Sequence, residues 1–161
     1  MYQDTTVAID FEVFGSPFTG YDGSQSLPST YFVLNHRGYI HAVQGGTYTF
    51  TSQLADEIVL YWLGDKAYSG WTRANADLSD ASASPTSGQL ITYTAELEQG
   101  HWYALRLLFA NAQQLARENT QITAPDGTVI LGADSVANPY VVQYSCDGTA
   151  APMYPPFGQE T

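Results

Sequence analysis

The feature that most constrains this chain is its punctuation. Most of its short runs rich in β-branched and aromatic residues are closed by Gly, Pro or Asn before they reach helical length. Residues 7–14 form such a run and stop at Gly15-Ser16-Pro17. Residues 31–34 and 38–43 are short strand candidates ahead of a Gly45-Gly46 turn. Residues 47–51 alternate Thr with aromatics, as a half-buried strand does, and 58–63 is a continuous apolar run, as expected where both faces are covered. Residues 90–97 and 102–110 follow, joined through Gln99-Gly100. Residues 121–131 read as a hairpin around Pro125-Asp126-Gly127, and 140–145 as the last strand. Many short strands with turn signals between them predict an all-β fold, a β-sandwich.

Between these runs, residues 18–29 read as a loop and 64–88 as a long surface excursion. Residues 115–119 suggest a helical turn. Residues 147–161 are Pro- and Gly-rich and form either a strap around the domain or a linker. With 161 residues and no internal repeat, residues 1–161 make a single domain. Met1 reads as an added start and the sequence as an excised domain.

Charge removes several function classes. The formal net charge is -11, with five basic residues that are scattered rather than clustered. Nucleic acid, which must be neutralised by Lys and Arg, is an improbable partner, and so is an anionic membrane surface. No apolar run is long enough to span a bilayer. Abundant Tyr, Phe, Thr, Ser and Gly beside almost no Lys suit a secreted β-protein. Cys146 is the single cysteine, so no disulfide can close within these residues.

Two segments carry candidate chemistry, Asp56-Glu57 and Asn111-Ala112-Gln113. Adjacent residues of an ordinary strand point to opposite faces. Neighbouring carboxylates can grip one ion only where the backbone bends, for instance at a cis peptide costing about 3–4 kcal/mol. A hard cation such as calcium, seeking about six to eight oxygens, is one of the few things that offsets this. The blander reading is a solvated acidic turn beside a strand-end Asn that bonds its own backbone.

No nucleophile elbow, phosphate-cradling loop or His-Cys dyad is present, and His36, His41 and His101 lack metal-ligand spacing. Asp56 and Glu57 are adjacent on the backbone, which makes the carboxylate separation of a glycosidase hard to reach. Catalysis is therefore not expected.

Thr47-Tyr48-Thr49-Phe50, Ala55-Asp56-Glu57 and the stretch from Tyr61-Trp62-Leu63-Gly64-Asp65 through Ser69-Gly70-Trp71-Thr72 resemble the fungal GLEYA adhesin domain. So do Asn111 at its strand end, Pro125-Asp126-Gly127-Thr128 and Gln143-Tyr144-Ser145-Cys146-Asp147-Gly148-Thr149. The name-giving stretch appears only in altered form, as Ala8-Ile9-Asp10-Phe11-Glu12 ahead of Pro17-Phe18. The resemblance implies an antiparallel, protective-antigen-like sandwich of jelly-roll type with long surface loops, related to yeast flocculin lectin domains. It also implies a calcium ion, Ca2+, held by paired acidic residues joined through a cis peptide, an Asn, and carbonyls just after that Asn. Here those positions fall on Asp56, Glu57 and Asn111, with the carbonyls of Gln113 and Leu115. Glu57 departs from the family's second Asp by one methylene.

The implied partners are glycans, with cell-wall or host-surface sugars bound outside the cell by a monomeric domain displayed in many copies. Trp71, in the polar excursion, is a candidate for stacking on a sugar, and Tyr21 and Asp22 in the first loop are further ligand-binding candidates. Trp62 and Trp102 lie in apolar runs and are expected in the core. The competing expectation is a structural or protein-interacting sandwich with a degenerate, metal-free site.

Overall fold

A computed structural model describes residues 5–14, 17–19, 21, 23, 26–53, 55–82, 89–113 and 115–159. In chain order the strands are β1 (Phe11–Phe14), β2 (Phe18–Thr19), β3 (Ser26–Leu27), β4 (Phe32–His41), β5 (Gly46–Ser52) and β6 (Glu57–Leu63). After a one-turn helix α1 (Asp65–Tyr68) and a 3-10 turn (Arg73–Asn75) come β7 (Leu78–Ser82), β8 (Ile91–Leu97), β9 (Trp102–Asn111) and β10 (Leu115–Glu118). The last are β11 (Thr120–Thr123), β12 (Val129–Leu131) and β13 (Val141–Val142).

Two antiparallel sheets form the sandwich, one ordered β12-β11-β5-β8 and the other β13-β4-β9-β6-β7. Tyr48, Phe50, Ile122 and Ile130 from the first sheet meet Ile40, Val59, Tyr61, Leu107 and Phe109 from the second in one core. The outer face of the second sheet carries another core, built by Tyr39, Leu60, Trp62 and Ala104 and capped by Ala67, Ala151 and Tyr154. This explains the continuous apolar run of β6. Val59 and Tyr61 point between the sheets while Leu60 and Trp62 point outward under a second layer.

Residues 151–155 form a strap over that second layer. Tyr154 Oη donates to the Ala67 carbonyl at 2.5 Å, and the Met153 carbonyl accepts from Tyr39 Oη at 2.7 Å. Arg37 Nη1 donates to the Pro155 carbonyl at 3.0 Å.

Four sequence expectations are corrected. The runs at 31–34 and 38–43 merge into one strand, β4, because the polar side chains between them have partners, Asn35 and Arg37 in the second layer and His36 at Tyr21. Asn35 Oδ1 accepts from Arg106 Nη1 at 3.0 Å, and Gly38 leaves room for the Val142 carbonyl oxygen, 2.7 Å from where a Cβ would stand. The helical turn expected at 115–119 is instead β10, paired with β1 from Phe14↔Leu115 to Phe11↔Glu118. The excursion at 64–88 contains α1 and β7, which pairs with β6. Trp62 is buried as expected, but Trp102 is 36% exposed, because it opens β9 at the sheet's end and stacks on His41 at 4.3 Å.

Glu118 is fully buried, and among the described residues neither carboxyl oxygen has a hydrogen-bond partner. Burial first, and the charge of Asp10 second, raise its pKa well above the ordinary carboxyl range. The folded state thus keeps a proton that the unfolded chain releases, so this group's contribution falls as pH rises through the ordinary range toward the raised one. Glu118→Gln is therefore expected to gain stability over the parent at pH 7 and to lose that gain near pH 4, as chemical denaturation at the two pH values would show. An equal effect at both would contradict it.

Candidate functional site

Asn111 closes β9, with Phe32 of β4 as its cross-strand partner, and the preceding Ala110 pairs with Ile58 of β6. One further step in the β6–β9 register brings Glu57 level with Asn111. There the chain leaves the extended course. Glu57 has a φ of 71°, and the Asp56 N–H donates to the Arg117 carbonyl at 3.0 Å, which carries the chain across to β10. Leu115 opens that strand. The structure therefore brings Asp56, Glu57, Asn111, Gln113 and Leu115 to one end of the sandwich.

The bend expected between the two acidic residues is present, but its origin is corrected. The Asp56–Glu57 peptide is trans, and the positive φ of Glu57 redirects the chain. Holding a non-glycine residue there costs about 1–3 kcal/mol, the kind of local strain that clusters at ligand sites.

Asn111 is 4% exposed, and its Nδ2 donates to the Ser29 carbonyl at 2.6 Å. A carbonyl can only accept, so this contact fixes which way the amide faces. Among the described residues its Oδ1 is then buried with no hydrogen-bond partner. Such an orphaned acceptor costs about 1–3 kcal/mol unless something positive meets it.

Asp56 is 8% exposed. Burial first and the neighbouring charge of Glu57 second raise its pKa, while the Arg117 guanidinium pulls it down. Arg117 is itself paired with Glu12. A divalent cation would offset both the buried carboxylate and the unpartnered amide oxygen, so these residues fit calcium. Among the described residues no three His, Cys, Asp or Glu side chains cluster, so an ion here would need amide and backbone oxygens beside the carboxylates, as calcium accepts. The Gln113 side chain is engaged elsewhere, since its Nε2 donates to Tyr31 Oη at 2.6 Å.

Ser29 and Tyr31, which orient Asn111 and Gln113, carried no signal of this role in the sequence, where Ser29 ends a polar loop and Tyr31 starts a strand candidate. The other ligand candidates are placed differently. Tyr21 Oη lies 2.7 Å from His36 Nε2, and His36 pairs with Leu107, roughly 14 Å along β9 from Asn111. Burial there lowers the His36 pKa to about 4. Trp71 packs edge-on against Trp62 and lies over Arg106 at 4.6 Å, in the second core. Neither side chain reaches the Asn111 end. Asp22 lies outside the described residues.

Known proteins agree with this architecture. The Epithelial Adhesin 6 A domain of Candida glabrata, solved with Galb1-3GlcNAc, superposes with a TM-score of 0.62 at 20% identity, covering 88% of this chain and 69% of its own. The Epithelial Adhesin 9 A domain of the same organism, solved with Galb1-4GlcNAc, gives a TM-score of 0.61 at 15% identity, covering 90% and 70%. At such identities the likeness speaks for the fold. A search of curated proteins returns no match. The model of the GLEYA domain, however, matches residues 32–124, a span that runs from the first residue of β4 past the end of β11 and takes in Asp56, Glu57 and Asn111. The chain belongs to the GLEYA domain family.

Proposed function

We propose that this chain is a calcium-dependent carbohydrate-binding domain of a fungal cell-surface adhesin, secreted or held in the cell wall. It binds terminal sugars of cell-wall or host glycans. The observation that carries the reading is the buried Oδ1 of Asn111, unpartnered among the described residues, at the same end as the buried Asp56. Asp56, Glu57 and Asn111, with the carbonyls of Gln113 and Leu115, would hold the ion. Calcium would supply an open coordination position for vicinal sugar hydroxyls. The protein's own task is to keep Asn111 oriented through Ser29 and the acidic turn bent at Glu57. Nothing in this set calls for bond cleavage; the domain binds rather than catalyses. A single open, wet site gives weak affinity, which display in many copies multiplies. The solved relatives were crystallised with galactose-terminated disaccharides, which makes such sugars the first probes.

A second reading, a metal-free structural or protein-binding sandwich, draws on the trans Asp56–Glu57 bond and the exposed Glu57 side chain. Titrating the domain with Galb1-3GlcNAc and β-lactose, in calcium and then in chelator, separates the two. Binding that disappears in chelator is the expected result. Binding of equal strength in both would remove calcium from the account.

A further inference from the structure

Tyr31 is 73% exposed, yet it is held at two points, and the chain just before it at a third. Its N–H donates to the Ala112 carbonyl at 2.9 Å, and its Oη accepts from Gln113 Nε2 at 2.6 Å. Two residues earlier, the Ser29 carbonyl is bound by Asn111 Nδ2. Its φ of 54° is uncommon for a residue with a bulky side chain. Folding thus spends an unfavourable backbone conformation and a side-chain hydrogen bond to display an aromatic ring to solvent, where burial gains little. A ring treated this way is poised for a ligand.

Its position names the ligand. Tyr31 lies against Ala112, one residue past Asn111, on the side of β9 opposite to β6 and the Asp56–Glu57 turn. Two strand spacings, roughly 10 Å, separate it from that turn. A sugar whose hydroxyls face Asn111 and the acidic pair would lie between them, its C–H face free to pack on the ring. Phe14, 69% exposed and paired with Leu115, adds a second ring at the same end.

We infer that Tyr31 is the aromatic platform on which the bound terminal sugar packs, so that it selects sugars presenting an apolar face when their hydroxyls meet the Asn111 site. This rests on the carbohydrate-binding reading above. The test titrates Galb1-3GlcNAc in calcium into the parent, Tyr31→Asn and Tyr31→Phe, and follows each protein's calcium-induced rise in unfolding midpoint. Asn tolerates the positive φ, so Tyr31→Asn removes the ring without forcing the backbone, and Tyr31→Phe keeps the ring.

Tyr31→Asn is expected to weaken sugar binding roughly 10-fold while its calcium response matches the parent's, and Tyr31→Phe to bind within about 3-fold of the parent. Parent-like binding by Tyr31→Asn would overturn the inference and leave the carbohydrate reading standing. Loss of the calcium response along with the sugar would overturn it too, by making Tyr31 a structural residue. A parent that responds to calcium but binds no sugar would overturn the carbohydrate reading and this inference together.

Discussion

Asp56→Asn is expected to unfold at a higher temperature than the parent in chelator and at a lower one in calcium. Without an ion, Asp56 carries a carboxylate that burial and the charge of Glu57 both disfavour, with Arg117 compensating only in part. Asparagine keeps the shape and removes that charge, so the ion-free fold gains. With calcium the sign reverses, because the carboxylate is then the partner of a buried charge, and its loss costs about 3 kcal/mol, or roughly 100-fold in affinity. At a calcium concentration 100 times the parent's dissociation constant, the ion adds about 2.7 kcal/mol to the parent and about 0.4 kcal/mol to the variant. Melting curves of both proteins in both conditions would show the two orders crossing. A variant that ranks the same way with and without calcium would contradict the site.

Trp62→Ala has the largest expected effect on the fold itself. The side chain is 1% exposed in the second core, and its Nε1 donates to the Thr72 carbonyl at 3.0 Å and to Asn75 Oδ1 at 2.9 Å. Truncation opens a cavity beneath the 3-10 turn and removes the donor that ties that turn to the sheet. Phe- or Trp-sized truncations of this kind cost about 3–5 kcal/mol, or roughly 10 °C in the unfolding midpoint for a domain of this size. Trp62 pairs with Arg106, roughly 17 Å along β9 from Asn111, so the calcium response of the weakened protein is expected to survive. Denaturant unfolding with and without calcium measures both quantities. A loss below about 1 kcal/mol would mean that the outer layer contributes little.

How much of this was legible in the sequence depended on the range of the interaction. The apolar run of β6 and the Pro125-Asp126-Gly127 turn obey local rules, and both elements appear where those rules put them. Asp56, Glu57 and Asn111 were legible as candidates because each stands where an apolar run begins or ends, and antiparallel pairing brings such ends together. What stayed hidden depends on distant partners. The polar stretch Asn35-His36-Arg37 looked like a break in β4 because the partners of its side chains, Arg106, Tyr21 and the strap, lie well away along the chain. Residues 115–119 suggested a helical turn because nothing near them announces β1 as a partner. A cis peptide was expected at Asp56–Glu57 because it is one local way to bend a strand, whereas the bend comes from the positive φ of Glu57 and the Asp56 N–H reaching Arg117. Tyr31 was read only as the start of a strand, since its positive φ and its bond from Gln113 arise in the folded state.

The most direct test of calcium at Asp56, Glu57 and Asn111 is the thermal unfolding midpoint of the parent domain, measured in chelator and then in calcium at about 100 times its dissociation constant. A ligand bound only by the folded state must raise it, and for a domain of this length the account predicts a rise of roughly 5–10 °C. A midpoint unmoved by millimolar calcium would contradict it.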